Sequence, residues 1–149
     1  MVIDLSANTA QDLYDVLLDF QTRVSRRLMG NPIQLHWDFQ KANWPSFSKT
    51  HTLQILRILQ EGLNNALKHS KAKNILISAV FDPSCQQLNL KIADDGTGLP
   101  SDIQFHRGLK NMTDRALQLG GEMVVTRVGI GGGTGTTLEL QLRQTPHHF

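Results

Sequence analysis

Cysteine is nearly absent: Cys85 is the only one in 149 residues, so no internal disulfide can form and no Cys/His cluster has the spacing of a structural zinc site. Such sparing use fits a reducing cytoplasm. Long hydrophobic runs are missing too, since none approaches the roughly 20 residues a membrane helix needs. The opening MVIDLSANTAQ carries Asp4 and no basic segment leading into an apolar stretch, as a secretory leader would. The expectation is a soluble, cytoplasmic chain without membrane contact; any membrane part of a parent protein would lie outside it. Nor does charge of one sign accumulate. Fifteen Lys and Arg against thirteen Asp and Glu leave a net charge of +2, with the two signs interleaved, which argues against a nucleic-acid-binding face. No repeat or low-complexity tract stands out, although GIGGGTG at 129–135 is locally dense in glycine.

What is present is a hydrophobic fraction of 40%, enough for one core in a chain of this length. Leu13, Leu17, Phe20, Val24 and Leu28 recur at three- and four-residue steps, predicting a helix over about 9–29. Thr9 and Asp12 suggest a capping box at its start, and Gly30-Asn31-Pro32 stops it. Ile33, Leu35, Trp37 and Phe39 then alternate with polar residues, as in a half-buried strand. A second helix is expected from His51 to His69, with Leu53, Leu56, Leu59, Leu63 and Leu67 among its apolar positions. Residues 73–81 and 88–93 flank Asp82-Pro83-Ser84 and read as a hairpin. A third helix over 109–119 points Leu109, Met112, Ala116 and Leu119 inward and ends at Gly120-Gly121, and strands at 122–128 and 136–143 close the chain. This order predicts an α+β fold: a two-layer sandwich whose mixed, mostly antiparallel sheet is covered on one face by about three helices.

Chemistry concentrates at three places. Glu61, Asn65 and Lys68 fall at i, i+4 and i+7 of the second helix and share a face, with Asn64 and His69 beside them. A carboxylate, an amide and an ammonium together suit a nucleophile, a hard cation and a phosphate, although a plain solvated face with a Glu-to-Lys pair would look the same. Asp94 falls on the strand face that carries Leu88, Leu90 and Ile92, where a carboxylate needs a buried partner. The following Asp95-Gly96-Thr97-Gly98 lets backbone approach a flat ligand closely. Gly133-Thr134-Gly135-Thr136 opens a strand whose Leu138, Leu140 and Leu142 face inward, and Gly108 stands at the expected start of the third helix. A helix start can bind phosphate, and a glycine there can equally be turn chemistry.

In this order the segments resemble the boxes of the gyrase, heat-shock chaperone, MutL and histidine-kinase ATPase superfamily. EGLNNALKHS is similar to its N box, DDGTG to the first glycine box, HRGLKNMTDRALQLGG to the second and GGGTGTTLEL to the third; GLKNMTDRALQLGG is especially similar to the nitrate-sensor-like class of sensor histidine kinases. The resemblance covers about residues 33–143 and implies a Bergerat-type ATP-binding fold with Mg2+ and ATP as cofactors. It implies that Asn65 ligates magnesium, that Asp94 accepts from the adenine amino group, and that Gly96 and Gly98 shape the adenine pocket. Lys68 and His69 would lie near phosphates, Gly108 would meet phosphate through its backbone, and Gly135 and Thr136 would complete the adenine side. Asn64 and Leu109 belong to the same nucleotide-binding set. Glu61 matches the superfamily position that activates a water, and residues 99–107 become a short ATP lid.

The same resemblance calls for a phosphoacceptor histidine on a dimerising hairpin, and segment 10–29 contains no histidine. Residues 1–30 are therefore expected to be the tail of that hairpin, and 31–149 the catalytic domain. The expected activity is transfer of the ATP γ-phosphoryl group to a histidine outside this chain, with a phosphoacceptor segment and a response regulator as partners. Alternatives are a stand-alone ATPase, a serine kinase of the same superfamily, or a non-catalytic ATP-sensing docking module.

Overall fold

A computed structural model describes residues 10–42, 44–97 and 103–143. Two short strands, β1 (Ala10–Gln11) and β3 (Phe47–Ser48), pair antiparallel. The main sheet holds β2 (Gln34–Phe39), β4 (Asn74–Asp82), β5 (Gln87–Asp94), β6 (Glu122–Thr126) and β7 (Thr137–Arg143) in the order β2-β4-β5-β7-β6. Only β2 and β4 run parallel; the other neighbours are antiparallel. Helices α1 (Leu13–Arg27), α2 (Lys49–His69) and α3 (Ile103–Gln118) complete the sandwich. The expected α+β class, the hairpins and the three-helix layer are all present.

Period-two alternation gives the sheet one apolar face, and the register stacks it into rungs. Trp37, Ile77, Ile92, Leu138 and Val125 form one, and Phe39, Ala79, Leu90, Leu140 and Met123 the next. A third begins with Leu35 and Ile75 but continues with Asp94, whose N–H donates to the Thr136 carbonyl at 2.9 Å. Gly62 lets α2 lie close on the first rung: a Cβ there would stand 2.8 Å from Ile92 Cδ1.

The elements begin and end where local chemistry dictates. Asp12 caps α1 by accepting from the Tyr14 N–H at 3.0 Å, a cap three residues after the expected Thr9, which lies outside the described residues. Gly30, at φ +83°, takes the left-handed turn beyond α1 that the sequence expected of it. Ser48 caps α2 through the His51 N–H, so this helix starts at Lys49 instead of His51. Its buried stripe runs through Ile55, Ile58, Leu59, Leu63 and Ala66, leaving Leu53 46% exposed. α3 starts at Ile103, six residues before the expected Leu109.

Leu13, Leu17, Phe20 and Val24 of α1 are buried in the same core as α2 and the sheet, and Phe20 meets Trp37 edge-on with centroids 6.0 Å apart. The expected boundary after residue 30 thus falls inside one continuous core.

Candidate nucleotide-binding site

The α2 face holds Glu61, Asn65 and Lys68 as the spacing requires, in three different environments. Asn65 is only 5% exposed, Glu61 is half-buried and Lys68 is exposed. Asn65 Nδ2 has no hydrogen-bond partner, and neither does Thr136 Oγ1. Among the described residues a third buried side-chain atom, Thr52 Oγ1, shares that condition, so two of the three belong to the expected site. Native interiors pair nearly all buried polar groups, which makes such atoms pointers to a ligand. His69 is half-buried at the end of α2. Asn64 is exposed and turns away, lining a cleft against Phe20, Arg23, Val24 and Arg27 of α1.

α3 brings Gly108 onto this face. A Cβ on Gly108 would stand 2.5 Å from Glu61 Oε1 and 3.0 Å from Asn65 Nδ2, so the carboxylate and the amide converge on the glycine backbone. Gly108 therefore lies inside α3, not at its start, because the helix runs back through Arg107 to Ile103. Of the expected lid, residues 103–107 are helical; 99–102 and Gly98 lie outside the described residues. Leu109 is half-buried against the core.

Asp94 is 5% exposed in the third rung, as its register with Leu88, Leu90 and Ile92 predicted. Its Oδ1 accepts from the Gly96 N–H at 2.9 Å and the Thr136 N–H at 3.2 Å, and both bonds leave Oδ2 for a further donor. Burial pushes the Asp94 carboxyl above its ordinary value against the pull of those two bonds, and the charge of Asp95 adds to the rise. Two glycines make the turn possible. A Cβ on Gly96 would collide with the Ser70 carbonyl, and one on Gly135, at φ +138°, with the Asp94 carbonyl. Thr136 is 4% exposed beside them.

Several residues that hold this corner carried no functional weight in the sequence. The Ser70 carbonyl accepts from the Thr97 N–H at 2.9 Å, tying the turn to the end of α2. Asp95 accepts from the Lys73 and Asn74 N–H groups and from Asn74 Nδ2, at 2.8, 2.9 and 2.9 Å. Burial pushes the Asp95 carboxyl up, but the Asn74 and Lys73 hydrogen bonds outweigh it and hold the group below its ordinary value. Asp after Asp in a glycine turn reads as turn chemistry; only the fold shows that Asp95 reaches another strand.

An α/β sandwich with a buried carboxylate at one end of its sheet, glycine turns around it and an Asn/Glu pair on α2 is the arrangement that the resemblance to the ATPase superfamily called for. Residues 50–146 match the family described as histidine kinase-, DNA gyrase B-, and HSP90-like ATPase, and the chain belongs to that family. It is 34% identical over 113 residues to the sensor histidine kinase LiaS of Bacillus subtilis, covering 74% of this chain and 29% of LiaS. It is 35% identical over 105 residues to the nitrate/nitrite sensor protein NarX of Escherichia coli, covering 69% of this chain and 17% of NarX. The chain thus spans less than a third of either relative. Among solved structures, the histidine kinase domain of the Erythrobacter litoralis EL346 blue-light activated kinase superposes with TM-score 0.72 at 21% identity, covering 95% of this chain and 65% of that one. The mycobacterial sensor histidine kinase MprB gives 0.69 at 21%, covering 94% and 99%. At these identities the superpositions speak for the fold alone. Among the described residues no helix is long and apolar enough to cross a membrane.

Proposed function

We propose that this chain is the catalytic half of a two-component sensor kinase, binding Mg-ATP and passing the γ-phosphoryl group to a histidine on a separate segment. Support comes from its similarity to sensor kinases. The observation that carries the reading is the buried Asp94 carboxylate, fixed through Oδ1 by two backbone donors with Oδ2 left for a third. Adenine has an amino donor to offer there. Gly96 and Gly135 keep the walls free of side chains, so a flat base can lie against backbone.

Magnesium fits the residues present. Asn65 is a buried amide with an unpartnered atom, rotation about its Cβ–Cγ bond can turn the oxygen to that position, and Glu61 stands beside the same glycine. Asn65 would supply an oxygen to a magnesium ion held there, and the ion would contribute neutralisation of phosphate charge. Glu61 is the carboxylate within reach of the reacting phosphate, able to orient a nucleophile. Lys68 and His69 face the phosphate end, where cationic and donor groups stabilise charge, and the Gly108 backbone approaches without a side chain in between. Leu109 would join the nucleotide-binding set from α3, and Thr136 would offer its Oγ1 to the nucleotide. Gly98 extends the turn, and Asn64 marks the outer margin of the set. Positioning and charge neutralisation of this kind carry most of phosphoryl transfer.

The partners proposed are a dimerisation segment bearing the acceptor histidine and a response regulator downstream, with the reaction in the cytoplasm. Residues 1–30 would be the tail of that hairpin, with Leu13, Leu17, Phe20 and Val24 of α1 sharing the catalytic core. The test incubates the chain with γ-labelled ATP, alone and with a separately made dimerisation hairpin. Acid-labile label on the hairpin histidine, and none on the chain alone, is the expected result. Stable label on His36 or His51 of the isolated chain, or phosphate release with no labelled protein, overturns it.

A further inference from the structure

We infer that Asp95 is a positioning residue for Asp94: its carboxylate clasps the start of β4, through Asn74 and on to His36 of β2, and so sets the turn that presents Asp94 to the purine. The inference rests on the reading of Asp94 as the adenine acceptor. Ile75 and Asp94 are the last paired residues of β4 and β5, and beyond them the chain turns away into Gly96. At that point the Asp95 N–H donates to the Asn74 carbonyl at 3.2 Å, while Asp95 Oδ1 takes the Lys73 and Asn74 N–H groups. Oδ2 takes Asn74 Nδ2, and Asn74 Oδ1 pairs with His36 Nε2 at 2.9 Å. β2, β4 and the turn that follows β5 are thereby joined by side chains at the corner where the β4–β5 ladder ends.

The consequence for Asp94 is geometric. Its carboxylate is aimed by the Gly96 N–H, and Gly96 is fixed between the Asp95 clasp on one side and the Ser70 carbonyl on the other. The Asn74 amide is oriented in turn: with its oxygen engaged by His36, its NH2 must face Asp95. None of these three side chains needs to touch the nucleotide.

The test uses the full chain and separates purine recognition from phosphate binding. ATP, GTP and inorganic tripolyphosphate with magnesium are titrated against the parent, Asp95→Ala, Asp95→Asn and Asn74→Ala. Amide hydrogen exchange at Gly96 and Thr136 is read in the ligand-free proteins. In Asp95→Ala the expected results are faster exchange at both amides, ATP affinity down by about tenfold, a smaller preference for ATP over GTP, and unchanged tripolyphosphate binding. Asp95→Asn should recover much of the loss, since its amide oxygen still accepts the two backbone N–H groups and Asn74 can flip to face it. Asn74→Ala should move every reading the same way by less, and it decides the matter if Asp95→Ala does not fold. Unchanged exchange with an unchanged ATP-to-GTP ratio overturns the inference, as does an equal loss of ATP and tripolyphosphate binding, which marks a general loss of structure. A parent chain that binds ATP and GTP alike overturns the Asp94 reading itself, and with it this one.

Discussion

Asp94 occupies a place in the sheet where the two preceding rungs carry apolar side chains, and its worth depends on what meets its free oxygen. A guanine would present a carbonyl where adenine presents an amino group, setting acceptor against acceptor in a poorly solvated pocket. ATP should therefore bind roughly a hundredfold or more tightly than GTP, the scale of a charged hydrogen bond plus an unpaired buried carboxylate. In Asp94→Asn the amide oxygen keeps the Gly96 and Thr136 bonds but turns an NH2 toward the adenine donor, so ATP affinity should fall by about tenfold or more. Titrating both nucleotides against both proteins checks these outcomes. The raised Asp94 pKa also has a sign. Because the folded chain holds this proton more tightly than an unfolded one, Asp94 takes stability away as pH rises through its raised value, and gives it back on acidification. The ligand-free Asn variant should thus melt at or above the parent near neutrality, with the gap closing in acid, whereas ATP affinity of the parent should weaken over that same acid range. Asn65→Ala should remove the magnesium dependence of ATP affinity and leave the melting temperature nearly unchanged, because it deletes a buried amide nitrogen that has no partner.

Gly108 of α3 faces Glu61 and Asn65 of α2, while Gly96 lies in the turn after β5 against Ser70, and the two kinds of glycine contact separate function from folding. Gly108→Ala presses on the free end of Glu61, which can swing aside; stability should change little while Mg-ATP affinity drops. Gly96→Ala presses on the Ser70 main chain, which cannot, and should cost about 2 kcal/mol or more on overpacking alone. Thermal melts alongside nucleotide titrations distinguish the two. Elements with a clear period were legible in the sequence: the α1 stripe, the alternation of β2 and the β4–β5 hairpin all formed where their patterns put them. Asp94 was legible for the same reason, as a carboxylate in register with three core residues. Helix starts were less so. α3 begins at Ile103, directly after Ser101-Asp102, residue types that cap helices but that turns favour as well, and this moved Gly108 from a helix start to a helix interior. Residues that act across strands, Asp95 with Asn74 and His36, were not legible at all, since their meaning depends on a pairing between positions 38 and 21 residues apart.

Across the whole molecule, one core unites α1 with the sheet, and cutting it should be ruinous. A fragment of residues 31–149 would lose Leu13, Leu17, Phe20 and Val24, each buried, and bare the surfaces they cover. It should fail to unfold cooperatively by circular dichroism, whereas the full chain should give a single transition; Leu17→Ala within the full chain should cost about 2–5 kcal/mol. The third rung has a different bearing on the molecule. Leu35 and Ile75 lead to Asp94 and Thr136, so the apolar stacking of the sheet gives way to polar groups just where a planar base is proposed to lie. Under that reading the base is the missing side chain of the last rung, and nucleotide supply governs how much of the protein stays folded. At a hundred times its dissociation constant a ligand adds about 2.7 kcal/mol to folding, enough to lower the unfolded population by roughly a hundredfold. Under the same reading, a chain of this build would meet nucleotide shortage twice over, losing its ligand and then, through proteolysis of the opened chain, its own abundance.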